Sequence, residues 1–346
     1  MANNSKPNLI KRTDFFNAET YSNVQISPDG KFISYIKNLR GAGNIYVKSI
    51  SNQSNEFTVT NQNTNTVSDY KWSANSQFII FFTDNNGDEK TVLHRASINE
   101  NNTETKALTE HGKKSIPLAK SKTYPDEILV GSYLRNNQFY DVYKINIITG
   151  KSEFIYENHY FNKIGVDDDL NLVLGFFIQP DLEETVYNLT DLAKLVKLEP
   201  IKTKTIPVAN YNNIFIEEKD LERSKELNFI KNKFDKTVEV VESSTSFDKN
   251  LSALAVISAD NPIEYYLYDY VSSKLNFLFS SNSIMQDKTL AKMTPVIIEA
   301  RDGLKLPCLL SLPNGIKIDP KDELSKVLTK PLPMDIISTW WSHRSF

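Results

Sequence analysis

The chain has 346 residues, 40% of them apolar and 24% charged, with a formal net charge of -3. That composition belongs to a folded chain of one large domain or two ordinary ones and excludes wholesale disorder. The charge offers nothing to draw nucleic acid or an anionic membrane, and the one cysteine, Cys308, excludes an internal disulfide and any multi-cysteine metal site.

The opening residues, MANNSKPNLIKRTDFF, carry no apolar targeting core, and no run of about eighteen apolar residues occurs after them. A cytoplasmic protein without nucleic-acid or membrane partners is the expectation. Tyr and Phe are plentiful, at 16 and 19, while Gly is scarce at 11. Aromatic residues suit half-buried strands, and scarce glycine leaves the turns to Asn, Asp and Ser.

After a leading segment, residues 1–20, the first clear unit is NVQISPDGKFISYIKN. Val24 and Ile26 precede, and Phe32 and Tyr35 follow, the turn Ser27-Pro28-Asp29-Gly30. Pro presets φ and Gly accepts a positive φ, so the unit reads strand, turn, strand. GNIYVKSIS supplies the next strand. The layout recurs in VSDYKWSANSQFIIFFTDNNGDEKTVLHRASIN, where Trp72 to Ser76 stand where Ile26 to Gly30 stood. It recurs again from Pro117 to Glu157 with a turn at Ile147 to Lys151, more weakly from Lys163, and clearly in STSFDKNLSALAVISADNPIEYYLYDYVSSKLNFLFS. A period of roughly 40–50 residues with three or four short strands is the size of a propeller blade. A β-sandwich or plain meander is the alternative. The charged stretch 211–242 reads as a degenerate blade or a helical insertion.

The character changes after Ser283. LAKMTPVIIEARDGLKLPCLLSLPNG reads strand, Asp302-Gly303 turn, strand, and a polar loop then leads to PLPMDIISTWWSHRSF.

Three stretches carry a resemblance to the prolyl oligopeptidase family of serine peptidases, in its acylaminoacyl-peptidase or dipeptidyl-aminopeptidase-like branch. LIKRTDFFNAETYSNVQISPDGKFISYI resembles the family's approach to its first blade. EYYLYDYVSSKLNFLFSS resembles its last blade. LAKMTPVIIEARDGLKLPCLLSLP resembles the passage from propeller to α/β-hydrolase domain, with Ala300-Arg301-Asp302-Gly303 the most specific part. The resemblance implies an all-β fold over 21–290, a β-propeller of about six or seven blades, some degenerate. It implies linker and first strands of an incomplete, truncated α/β-hydrolase domain over 291–334.

In that family, KPLPM leads to a His-Gly-Gly-Pro motif that helps build an oxyanion hole. Here Thr339-Trp340-Trp341-Ser342 stands in its place. Trp has the single codon TGG, so a shift of one base turns Trp340-Trp341 into two glycine codons, and Thr339 and Ser342 can then yield His and Pro. Residues 335–346 are accordingly expected to be a frameshifted tail. An authentic tail is the alternative.

The family's nucleophile lies in Gly-x-Ser-x-Gly, with its Asp and His following in sequence. This sequence contains no Gly-x-Ser-x-Gly, so no catalytic residue is assigned. His94 falls in a predicted strand and reads as structural; His111 and His159 read as loop residues; His343 belongs to the suspect tail. Asp167-Asp168-Asp169 with Asn171 alternates oxygen ligands but lacks the sixth-position Gly and twelfth-position Glu of a calcium loop, and reads as a solvated turn. The run from Glu217 to Lys225 reads as a solvated face, and Cys308 as a small buried apolar residue. No metal, cofactor or phosphate loop is expected. The resemblance implies a non-catalytic, substrate-gating propeller that admits short or N-acylated peptides, inactive alone. A stand-alone TolB-like binding module, or the propeller half of a split peptidase with a separately encoded catalytic half, are the alternatives.

Overall fold

The computed structural model describes residues 10–16, 20–39, 42–52, 55–63, 66–84, 87–100, 104–178, 184–190, 221–234, 238–291 and 293–311. Five antiparallel sheets succeed one another along the chain, each built from consecutive strands. After a short helix, α1 (Arg12–Phe16), the first holds β1 (Thr20–Ile26), β2 (Phe32–Leu39), β3 (Ala42–Ser49) and β4 (Glu56–Thr58). The second holds β5 (Tyr70–Trp72), β6 (Phe78–Thr83), β7 (Val92–Ser97) and β8 (Thr105–Ala107). The third holds β9 (Ser115–Lys120), β10 (Glu127–Ser132), β11 (Asp141–Asn146) and β12 (Ser152–Tyr156). The fourth has three described strands, β13 (Lys163–Val166), β14 (Leu172–Ile178) and β15 (Glu184–Asn188). The fifth holds β16 (Glu239–Thr245), β17 (Leu251–Ser258), β18 (Asn261–Asp269) and β19 (Lys274–Ser280). These are blades of a propeller, and five of them stand among the described residues where about six or seven were expected.

The burial pattern separates a propeller from a one-faced meander. In β6, β10 and the middle of β17, Ser252 to Val256, nearly every residue is buried, so both faces are covered. Continuous apolar runs such as Phe78-Ile79-Ile80-Phe81-Phe82 are what a strand needs when another sheet packs on each side. The last strands, β8 and β12, are mostly open to solvent. Three apolar clusters weld neighbouring blades. Ile36, Ile45 and Val47 pack on Tyr70, Trp72 and Phe81; Ile80 and Leu93 on Val130 and Ile145; Leu129 and Val142 on Ile164 and Leu172. A fourth joins the first blade to the fifth, with Val24, Ile33 and Tyr35 against Ala253, Tyr265 and Leu267. Tyr21 N also donates to Ser281 O at 2.9 Å, tying the first strand to the end of the last blade.

The turn after the first strand repeats one device. Ser27, Ser73 and Ser246 Oγ donate to Asp29, Asn75 and Asp248 Oδ1 at 2.6, 2.6 and 2.5 Å. The same three oxygens accept the N–H of Phe32, Phe78 and Leu251. The left-handed position is Gly30 in the first blade but Ser76, Leu170 and Lys249 in the second, fourth and fifth. The Ser–Asx pair closes the turn whether or not glycine is present.

The charged stretch 211–242 contributes a helix, α2 (Leu221–Lys231), and then β16. Ile230 packs on Leu254 and Tyr268, and Tyr268 Oη donates to Glu226 at 2.9 Å. Residues 211–220 lie outside the described residues, as do 312–346 with the tail.

After a short helix, α3 (Ser283–Gln286), β20 (Met293–Glu299) and β21 (Lys305–Ser311) form a two-stranded sheet of their own. Gly303, at φ +82, makes its turn, and Leu304 N donates to Asp302 Oδ1. Cys308 pairs in register with Val296 and is only partly buried. This corrects the expectation of a buried thiol: among the described residues, no second layer covers the hairpin.

Candidate functional site at the axial turns

The first strands of the blades are neighbours. Gln25 Nε2 donates to Tyr70 O at 2.7 Å, joining β1 to β5, and Lys120 Nζ donates to Trp72 O at 3.1 Å, joining β5 to β9. β9 lies against β13, and β1 against β16. These strands therefore surround a common axis. Antiparallel order fixes which end of that axis each turn occupies. Residues 27–31, 73–77, 121–126, 167–171 and 246–250 all lie at one end. The start of β1 and the end of β19, which leads on to the β20–β21 hairpin, lie at the other.

The five turns interlock at that end. Asp29 N donates to Ser76 Oγ at 3.1 Å, Asn75 Nδ2 to Asp126 Oδ1 at 2.7 Å, Ser121 Oγ to Asp168 O, and Phe247 N to Pro28 O at 2.8 Å. Phe247 also meets the third blade. Lys122 Nζ donates to Phe247 O at 3.3 Å and sits 4.4 Å from the centre of its ring, while Lys120 Nζ sits 5.7 Å from the same centre. An aromatic ring from the fifth blade thus reaches two lysines of the third.

Lys120 is accessible to water, yet protein crowds its ammonium. Loss of hydration, with repulsion from Lys71 added, pulls its pKa down to about 8. Lys120 thus stands beside the axis that the first strands surround. Lys71, exposed between buried Tyr70 and Trp72, projects from β5 toward the same place.

The residues singled out from sequence do not gather here. His94 lies in β7, half-buried, with Nε2 3.0 Å from Thr83 Oγ1 and its ring stacked on Phe81. Burial and nearby His111 pull its pKa down to about 4, so it is a neutral structural residue at pH 7. His159 is exposed beside Glu157 on the third blade, and His343 lies outside the described residues. Asp167 accepts the N–H groups of Asp169 and Asn171 and the Asn171 amide. It closes a turn as the sequence suggested. Among the described residues no group of three or more His, Cys, Asp and Glu could hold a metal ion. A cleft of about 680 Å³ opens between the third and fourth blades, but its Lys144 is already paired with Glu127 and Glu153. The axial lysines and Phe247 were missed. The one available signal was Lys120-Ser121-Lys122 flanking the serine that marks the turn.

Sheet order and blade packing define a β-propeller whose chain exits into a separate hairpin. No protein-family model matches the chain. It is 30% identical over 151 residues to dipeptidyl aminopeptidase BIII of Pseudoxanthomonas mexicana, covering 43% of this chain and 22% of that protein. It is 26% identical over 185 residues to dipeptidyl peptidase family member 6 of Caenorhabditis elegans, covering 52% of this chain and 25% of that protein. The matched regions thus span about a quarter of the length of those curated relatives. Among solved structures, a prolyl endopeptidase aligns over 90% of this chain and 42% of its own at 12% identity and TM-score 0.39. A puromycin-hydrolysing peptidase of Mycobacterium tuberculosis aligns over 86% of this chain and 44% of its own at 10% identity and TM-score 0.39. In sequence the chain is thus similar to part of two dipeptidyl peptidases.

Proposed function

We propose that this chain is the substrate-gating propeller of a cytoplasmic serine peptidase that hydrolyses short or N-acylated peptides, and that it is catalytically silent alone. The supporting observation is the match to dipeptidyl aminopeptidase BIII, 30% identical over 151 residues. The sequence itself carries no Gly-x-Ser-x-Gly, so the nucleophile has to come from a hydrolase domain beyond these residues, in the same polypeptide or a second one. A ring of blades passes only what threads its axis, which favours short peptides over folded proteins.

A stand-alone TolB-like binding module would pack the segment after Leu290 into the propeller. β20 and β21 instead form their own sheet, with Ile297 70% and Leu304 60% exposed. That favours the peptidase reading.

The test assays the purified chain, alone and mixed with a separately produced hydrolase domain of a relative, on dipeptidyl and N-acetyl-aminoacyl p-nitroanilides. Release of p-nitroaniline is expected only from the mixture. Hydrolysis by the chain alone would refute silence, and no activity in the mixture would remove the split-enzyme form of the reading.

A further inference from the structure

The geometry points to a carboxylate-binding mouth at the axial turns, where Lys120 and Lys122 meet Phe247, with Lys71 near Lys120, and select acidic peptides. This rests on the peptide-gating reading above and adds the substrate class.

Three lysines converge here from two blades. Lys120 is held by a carbonyl oxygen, that of Trp72, and Lys122 by another, that of Phe247. Neither forms an ion pair with a carboxylate among the described residues. Three acids of the neighbouring turns are held by turn hydrogen bonds. Asp29 accepts Ser27 Oγ and Lys31 N, Asp126 accepts the Asn75 amide, and Asp248 accepts Ser246 Oγ and Asn250 N. The ammonium groups of Lys120 and Lys122 therefore face carbonyl oxygens rather than carboxylates, although the turns around them also carry Asp29, Asp126, Asp167, Asp168, Asp169 and Asp248.

The cost to Lys120 of being charged supports the assignment. Crowding and Lys71 repel its proton, and no acid offsets them. An arriving carboxylate would supply the missing partner, and a charge-assisted hydrogen bond is strongest where water is thin. The Phe247 ring lies within reach of both ammonium groups of the third blade, at 4.4 and 5.7 Å. Its ring gives them a weak cation–π hold that a carboxylate readily outcompetes. The ring then acts as a plug that moves aside for an anion and stays for an apolar or cationic chain. The mouth lies at the end of the axis opposite the chain's exit to the hairpin, so selection would precede any encounter with the hydrolase side.

The test uses the full chain and a fluorescein-labelled hexaglutamate peptide, read by fluorescence anisotropy at low ionic strength. A labelled Ser-Ala hexapeptide is the neutral control, and citrate and inorganic phosphate are competitors. Hexaglutamate should bind at least about tenfold more tightly than the neutral peptide, and Lys120→Gln and Lys122→Gln should each weaken it about tenfold, the worth of one charge-assisted hydrogen bond. Lys122→Arg should retain binding, and Phe247→Leu should speed association. Should Lys120→Gln fail to fold by circular dichroism, Lys122→Gln, on a solvent-facing side chain, decides. Equal binding of the two peptides, or lysine variants that bind like the parent, would overturn the mouth. Displacement by citrate or phosphate as effective as by unlabelled hexaglutamate would reduce it to a small-anion site and overturn the peptide assignment. The measurement needs no hydrolase domain, so its failure leaves the reconstitution assay standing, and failed reconstitution leaves this binding intact.

Discussion

The indole N–H of Trp72 donates to Ser34 Oγ at 2.7 Å, across the seam between the second blade and the first. The Tyr70 hydroxyl lies 2.7 Å from the same oxygen and donates to Asn23 O at 2.7 Å. All three side chains are buried, Ser34 and Tyr70 at 0% exposure. One serine hydroxyl thus satisfies two aromatic polar groups in an otherwise apolar wall. Replacing Ser34 by Ala strands the Trp72 N–H and leaves the Tyr70 hydroxyl its bond to Asn23 O alone, which costs about 1–3 kcal/mol. Trp72→Phe loses the bond and leaves a cavity, at about 2–4 kcal/mol. Urea unfolding monitored by far-ultraviolet circular dichroism measures both. Losses under about 0.5 kcal/mol would mean that this seam is not part of the cooperative fold.

Lys249 holds a φ of +59 at the turn position that Gly30 fills in the first blade. A side chain in the left-handed region costs roughly 1 kcal/mol relative to glycine, offset in part by the greater freedom of glycine in the unfolded chain. Lys249→Gly should therefore raise stability by about 0.5 kcal/mol. The Ser246–Asp248 hydrogen bond keeps the turn closed in either case. A destabilised variant would show that the Lys249 side chain contributes more than its backbone costs.

That same turn shows what the sequence could and could not disclose. In the first blade, Pro28, Asp29 and Gly30 announce it unaided. In the fifth, glycine is replaced by lysine, and only Ser246 and Asp248 persist. Blade periodicity was legible because the interior strands need apolar runs on both faces, as in Phe78 to Phe82. The Asp302-Gly303 hairpin was legible for its turn chemistry. Residues 211–242 were not: α2 mixes Arg, Lys and Glu with its apolar residues without a clear stripe, and it is the packing of Ile230 and Leu227 against Leu254 and Tyr268, with the Tyr268–Glu226 hydrogen bond, that reveals which side faces the protein. The axial mouth was illegible for a different reason. Lys120 and Phe247 are 127 positions apart, and nothing local in either segment predicts that a ring of blades will bring them together.

His94 should give the fold an acid weakness. Its pKa in the folded protein is about 4, against 6.5 for an ordinary histidine. The unfolded chain therefore binds more protons between those values, and stability rises with pH across that interval. The contribution is complete above pH 6.5 and is lost as pH falls toward 4. Partial contact with water reduces it to on the order of 2 kcal/mol. His94→Gln can keep a hydrogen bond to Thr83 while removing the titration. Denaturation midpoints of parent and variant should converge as pH falls from 6.5 to 4. Parallel curves over that range would place the acid sensitivity elsewhere.

The β20–β21 hairpin leads to an expectation about solubility. Ile297 is 70%, Leu304 60% and Leu306 39% exposed, and no third strand pairs with either edge among the described residues. Unpaired backbone beside open apolar side chains is a template for association between chains. Expressed alone, the 346-residue chain should self-associate through this hairpin, and a version ending at Leu290 should remain monomeric at higher concentration. Light scattering across a concentration series compares the two. The blades themselves should not notice the loss, because none of the apolar clusters that weld them includes a hairpin residue. If the shortened chain is the less soluble, the hairpin or the chain beyond Ser311 covers part of the propeller, and the binding-module reading regains its ground.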